Sequence, residues 1–317
     1  MDGILIIDKP SGITSYQVVD RVKTATRVAK VGHGGTLDPL ATGVLPLFLN
    51  RATKLVPFLM NGVKRYRATL QLGITTDTQD REGRVTDQSS DLPEDPLEIT
   101  QAVNSFKGVI SQIPPMYSAL KYHGTPLYKL ARKGLSLERT PRSVHIYAIK
   151  VLAVHSPLVT FEVECSPGTY IRTLCADIGQ KLGCGAHLLT LKRLQNGHFG
   201  LDDSMCLEEV TSLCEKRMLK EHLVSLSAAF KHLPLFTVTN PLMTLLRAQK
   251  GILASQLKHH LPASLESEGL IQVGCAGDPE IALVQSLVSL KTLPAVPDTL
   301  VAWKRVCLYN PHENTIH

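Results

Sequence analysis

The 317-residue chain lacks the features that would place it in several large classes. No run of roughly eighteen apolar residues occurs, and no charged, apolar and cleavage-site succession opens the chain. Neither a membrane span nor a secretory signal is therefore expected. There is no C-x-x-C pair, and the seven cysteines are odd in number, which predicts reduced thiols in a cytoplasmic protein rather than disulfides or a thiolate zinc site. The twelve histidines include no H-E-x-x-H, and the adjacent His259 and His260 point to different sides of any element, so no metal is expected. Internal repeats and low-complexity tracts are absent as well.

What is present suffices for two domains, because 317 residues at 44% hydrophobic content can build real cores. The net charge of +6 is unevenly placed. Residues 1–100 balance 12 basic against 12 acidic side chains, residues 101–200 carry 12 against 4, and residues 201–317 carry 10 against 12. The excess lies in the middle third, where KYHGTPLYKLARKGLSLERTPR (121–142) predicts a basic strip able to neutralise phosphates. Tyr117, Tyr122 and Tyr128 interleave with it and could stack on unpaired bases.

The apolar run in GILIIDKP (3–10) predicts a buried strand, and Ser15 is the expected cap of a helix carrying Val18, Val19, Val22 and Ala25. From Tyr66 the period is two: Tyr66, Ala68, Leu70 and Leu72 alternate with Arg65, Arg67, Thr69 and Gln71. Residues 86–97 read as an acidic surface loop, and Ile99, Val103 and Phe106 as a short amphipathic helix. Prolines and glycines break the basic segment into a mobile, partly helical excursion. Alternation at Val159, Phe161, Val163 and Cys165, then Ser166-Pro167-Gly168, then Leu174, Ile178 and Leu182 gives strand, turn and helix, with Thr169 as the expected cap. Helical periodicity fades in KHLPLFTVTNP (231–241), where a boundary is expected. The fold class is a mixed α/β (α+β) catalytic domain over 1–230 around a mainly antiparallel sheet with flanking helices, and a small β-rich domain over 235–310.

Two residues stand out locally, Asp38 by its setting and Arg172 by its place. Four glycines in GHGGTLDPLATG (32–43) are costly in chain entropy unless the backbone needs unusual dihedrals, and Pro39 steers Asp38 into extended geometry. The stretch reads as a loop that holds one carboxylate in a fixed pose, for chemistry or only for an Asp-Pro turn. A phosphate-cradling loop needs Lys-Ser/Thr after its last glycine, but Val44-Leu45 follow Gly43. Arg172, in SPGTYIRTLCADIG, falls in the first turn of a helix, where the partial positive charge disfavours a cation unless a carboxylate faces it. Local patterns supply no second carboxylate for paired acid–base work. The chemistry they suggest is a single carboxylate nucleophile acting on a planar, phosphate-bearing substrate.

GHGGTLDPLATGVL, KRYRATLQLGITTDTQD, IPPMYSALKYHGTPLYKLARKG and CSPGTYIRTLCADIG, in this order, resemble the TruB-type tRNA pseudouridine synthases over about residues 1–200. The resemblance implies a pseudouridine synthase fold. It also implies isomerisation of the T-loop uridine-55 of tRNA to pseudouridine with neither metal nor organic cofactor, by a monomer that can also help tRNA fold. It assigns Asp38 as nucleophile, Tyr66 as the ring that stacks on the base and takes part in proton removal at C5, and Arg172 as the partner of Asp38. Tyr170 and Leu191 would line the pocket, His33 would contact bases beside the flipped-out nucleotide, and Asp80 would lie nearby. Lys64, Lys129, Arg132 and Lys133 would meet RNA, the last three on a thumb-like insertion spanning 108–142. Many members carry Thr or Ser where this chain has Gly34, which implies a more flexible loop here. GLIQVGCAGDPEIALVQSL would be the remnant of a PUA-type RNA-binding module.

Overall fold

The computed structural model describes residues 1–118, 120–135, 137–230, 233, 235–248, 251–258, 269–278, 280–287, 301–310 and 315–316. Its main sheet has the order Gly3–Lys9, Thr42–Leu49, Ala186–Asn196, Lys64–Leu72, Leu158–Cys165, Arg142–His155, Gly108–Gln112, with Val31–His33 and Phe199–Gly200 attached at the side. All pairings are antiparallel except the short one between Thr42–Leu49 and Ala186–Asn196.

The continuous apolar run of the first strand is explained by burial on both faces. Leu5 and Ile7 join a core with Val18 and Val22, Ile99 and Val103, Leu174 and Ile178, and Leu207 and Val210, one pair from each of four helices. Ile4 and Ile6 join a second core with Val44, Phe48, Phe230, Leu283 and Cys307. Each such side chain contributes about 1.5–3 kcal/mol relative to exposure. Further along the sheet only one face is covered, and the alternation of Lys64–Leu72 follows: Tyr66, Ala68, Leu70 and Leu72 are buried, while Arg65 and Arg67 pair with Glu162 on the open face.

Several boundaries differ from the sequence reading. Thr14, not Ser15, caps the helix Ser15–Thr26 and forms a capping box with Gln17, while the Ser15 hydroxyl turns inward to the Leu37 carbonyl. Either residue can cap, and only the distant partner of Ser15 decides between them. Residues 85–88 lie not in a loop but in a strand paired with Ile74–Thr76. The basic excursion begins as the sheet's edge strand, with Gly108–Gln112 registered against Arg142–Ile146. Beyond it lie a two-residue ribbon (Lys121–Tyr122 with Thr125–Pro126) and the helix Leu127–Ala131.

The C-terminal strands form a second sheet in the order Leu235–Val238, Gly269–Cys275, Ile281–Ser286, Val301–Asn310, Ile252–Leu253. A helix, Asn240–Arg247, packs there through Leu242, Met243 and Leu246. The sequence reading passed over it because Pro241 reads as a breaker, yet proline fits a helix's first turn. His259 and His260 lie outside the described residues.

Candidate active site

The loop carrying Asp38 is held from below by the segment that follows the first strand. Lys9 is fully buried and donates to the Pro10 and Pro39 carbonyls at 2.8 and 3.2 Å. The Gly12 N–H donates to Pro39 O, the Ser11 hydroxyl to Leu40 O, and Ser15 Oγ both donates to Leu37 O and accepts from Leu37 N–H. Burial lowers the Lys9 pKa to about 8, against an upward pull from the Asp38 charge. Gly34 does not loosen this loop. Its N–H donates to Pro46 O, its carbonyl accepts from Asn196 Nδ2 at 2.6 Å, and a side chain there would collide with Met60 and Phe48. Gly43 has φ 101°, and a Cβ on it would stand 2.2 Å from the Arg193 carbonyl, so the crossing onto the strand Ala186–Asn196 requires glycine.

Arg172 is the second residue of the helix Ile171–Lys181, whose cap position belongs to Tyr170 rather than Thr169. Gln112, at the end of the edge strand, donates to the Tyr170 carbonyl at 3.2 Å and accepts from its N–H at 3.0 Å. This tertiary clamp substitutes for a side-chain cap, so local sequence could not reveal it. Arg172 Nε lies 2.9 Å from Asp38 Oδ2, and its Nη2 donates to Asp38 Oδ1 at 3.1 Å, a two-point fork. The same guanidinium donates to the Thr78 and Tyr117 carbonyls at 3.1 and 2.8 Å and lies 3.5 Å from Asp80 Oδ2. A second carboxylate is thus present, contrary to the local sequence reading. Asp80 is buried in the 77–84 turn and accepts from the Thr78 hydroxyl and the Glu82 N–H.

Of the forked pair, Arg172 keeps 6% of its side chain exposed and Asp38 keeps 31%, so the carboxylate is the group a ligand can reach. Enclosure pushes the Asp38 carboxyl above its ordinary range, Arg172 opposes that shift, and the Asp80 charge adds to it. Tyr66 and Leu191 are buried in the same core. Burial raises the Tyr66 phenol, and the Arg193 guanidinium opposes the rise. Tyr170 is half-buried and shifted up by its burial. His33 is half-buried at the loop's start, its Nδ1 lacks a partner, and burial followed by the Arg193 charge holds its pKa down.

The remaining expected residues lie apart. Lys129, Arg132 and Lys133 are exposed around the helix Leu127–Ala131, with the Arg132 guanidinium 5.6 Å from the Tyr128 ring centroid. Lys64 does not fit its expected place at the RNA surface. It is buried and donates to the Met60 and Gly62 carbonyls at 3.0 and 3.2 Å, because its position on an alternating strand turns it inward with Tyr66. The sequence reading missed Lys9, Gln112 and Arg193. For Arg193 a signal existed: it stands two residues from Leu191, on the inward face of a strand. Among the described residues no group of three or more His, Cys, Asp or Glu could hold a metal ion.

A mixed sheet flanked by helices thus holds a partly exposed aspartate forked by a buried arginine, and comparison with family models places the chain in the class of pseudouridylate synthases. The family model for the TruB family pseudouridylate synthase N-terminal domain matches residues 23–171, and that for the tRNA pseudouridylate synthase B C-terminal domain matches 172–231. The chain belongs to the TruB family. It is 49% identical over 239 residues to the tRNA pseudouridine synthase B of Geobacter sulfurreducens, covering 75% of this chain and 79% of that protein. Against the protein of the same name from Syntrophus aciditrophicus it is 46% identical over 270 residues, covering 84% and 86%. A solved Cbf5-Nop10-Gar1 complex contains a similar chain, with a TM-score of 0.67, 27% identity, and coverage of 96% of this chain and 84% of that one.

Proposed function

We propose that the protein is a tRNA pseudouridine synthase that isomerises uridine-55 of the T loop, with Asp38 as nucleophile. The N1–C1′ bond breaks, the uracil turns, C5 joins C1′, and the C5 proton leaves as N1 gains one, so that product and substrate are isomers. Asp38 attacks the nucleotide, Arg172 fixes the direction of its carboxylate, and Tyr66 stacks on the base and takes the proton from C5. Asp80 holds Arg172 from its other side, while His33, Tyr170 and Leu191 close the pocket. Uridine-55 reaches this pocket by flipping out of the T loop, at a cost of a few kcal/mol that phosphate and stacking contacts offset. Residues 1–230 act as the catalytic domain, and the exposed cations of the 108–142 thumb-like insertion grip the T-arm. The enzyme works as a monomer without metal or organic cofactor and also helps tRNA fold. The observation that carries this reading is the Arg172 fork on the partly exposed Asp38, in a chain of the TruB family.

Release of tritium from tRNA containing 5-tritiated uridine tests the proposal, because forming the new C5–C1′ bond expels the C5 hydrogen. Wild type should release tritium and Asp38→Asn should not, while both bind tRNA alike. Tight binding with release by neither would mean a tRNA-binding protein without chemistry.

A further inference from the structure

Arg193 is among the largest fully buried side chains of the protein, yet among the described residues no carboxylate lies within ion-pair distance of it. A buried cation without a counter-ion is costly and persists only where other groups hold it. Two carbonyls do so: Nε donates to Val44 O at 2.7 Å and Nη2 to Gly35 O at 3.1 Å. The first anchors the strand Thr42–Leu49 and the second the loop that carries Asp38. The third neighbour is Tyr66, the residue registered directly across from Arg193 on the adjacent strand. Beside these two carbonyls, the neighbour among the described residues able to acquire a compensating negative charge is the Tyr66 oxygen.

We infer that Arg193 is a positioning residue for proton removal at C5, holding the Tyr66 oxygen toward the pocket and stabilising its phenolate. This rests on the function proposed above. In the step concerned, the C5–H bond breaks and its proton passes to the Tyr66 phenolate. The bonding pair restores the C5–C6 double bond, the C6=N1 pair withdraws onto N1, which takes a proton from solvent, and the phenol returns the C5 proton to solvent. Tyr66 is also faced by Cys165 and by the Asp38 charge, both of which oppose ionisation, so Arg193 is the group that favours it. Arg193 in turn faces Lys9, His33 and Lys64, whose protonated forms it disfavours.

The test compares tRNA carrying 5-protio and 5-deuterio uridine under single turnover, for wild type, Arg193→Lys and Arg193→Met. Loss of a group that assists one proton transfer should slow Arg193→Met by about 100-fold, the lower end of what positioned acid–base groups contribute. Its C5 isotope effect should exceed that of wild type, and the rising limb of its rate profile should move to higher pH. Arg193→Lys, which keeps a charge and is the milder change for the fold, should lie between the two. In a Tyr66→Phe background the same substitutions should cost little more, since the two residues act as a unit. A uniform slowing of both variants with unaltered isotope effect and pH limb would overturn the inference and leave Arg193 a packing residue. Absence of pseudouridine from the wild type would instead refute the proposed function.

Discussion

Arg172 and Asp38 stand 134 positions apart in sequence, yet the guanidinium meets the carboxylate at two points, 2.9 Å from Oδ2 and 3.1 Å from Oδ1. The fork places a cation in the first turn of a helix, against the helix's own partial positive charge, and the two aspartates and two carbonyls around it offset that conflict. It fixes the direction as well as the charge of the carboxylate.

Direction is what a lysine cannot supply, because its ammonium is a point charge without the planar pair of donors. Arg172→Lys should therefore lower kcat by about 100-fold, as misplacement of a reacting group does, with tRNA affinity unchanged. Arg172→Gln removes the charge that opposes the upward shift of Asp38, so the acid limb of its rate profile should move to higher pH. A rate profile that stays in place would show that Arg172 does not set the ionisation of Asp38.

Lys129, Arg132 and Lys133 point into solvent around one short helix and make no ion pair among the described residues. Replacing all three by alanine should weaken tRNA binding and flatten its salt dependence, by about 0.7–0.9 in the log–log slope for each phosphate left without its cation. Single-turnover rates at saturating tRNA should be unaffected. A slope equal to that of the wild type would remove these residues from the RNA interface.

Lys9 and Lys64 are both held at about 8 by burial, against an ordinary value of 10.5. The folded chain gives up these protons first. Between about pH 8 and 10.5 the unfolded chain consequently binds more protons, and the two groups make stability rise with pH. Urea midpoints of wild type and Lys9→Met, compared at about neutral pH and near the upper end of that window, should shift in favour of wild type as pH rises. A gap that is the same at both pH values would show that the buried ammonium is as well stabilised as a surface lysine.

Much of the architecture was legible along the chain. Alternation located Lys64–Leu72 and Leu158–Cys165, and fourfold spacing located Ile171–Lys181, because each element buries one face and its sequence must repeat with its geometry. Asp38 stood out by its glycine-rich loop and Arg172 by placing a cation in a helix's first turn. What escaped the reading depended on distant partners. Ser15 caps nothing because Leu37 engages it, Tyr170 needs no local cap because Gln112 clamps its backbone, and Gly34 is held firm between Pro46 and Asn196.

Side-chain period, composition and backbone sterics along the chain account for the main amphipathic elements, the basic middle third and the isolation of one carboxylate in a glycine-rich loop. Tertiary structure alone decided that Asp80 joins Asp38 on Arg172, that Lys64 turns inward, and that Arg193 lies buried across from Tyr66. The reason is physical. A strand's register and a loop's resting place are set by hydrogen bonds and packing between residues far apart in the chain, and no local pattern records which distant carbonyl a buried cation will find.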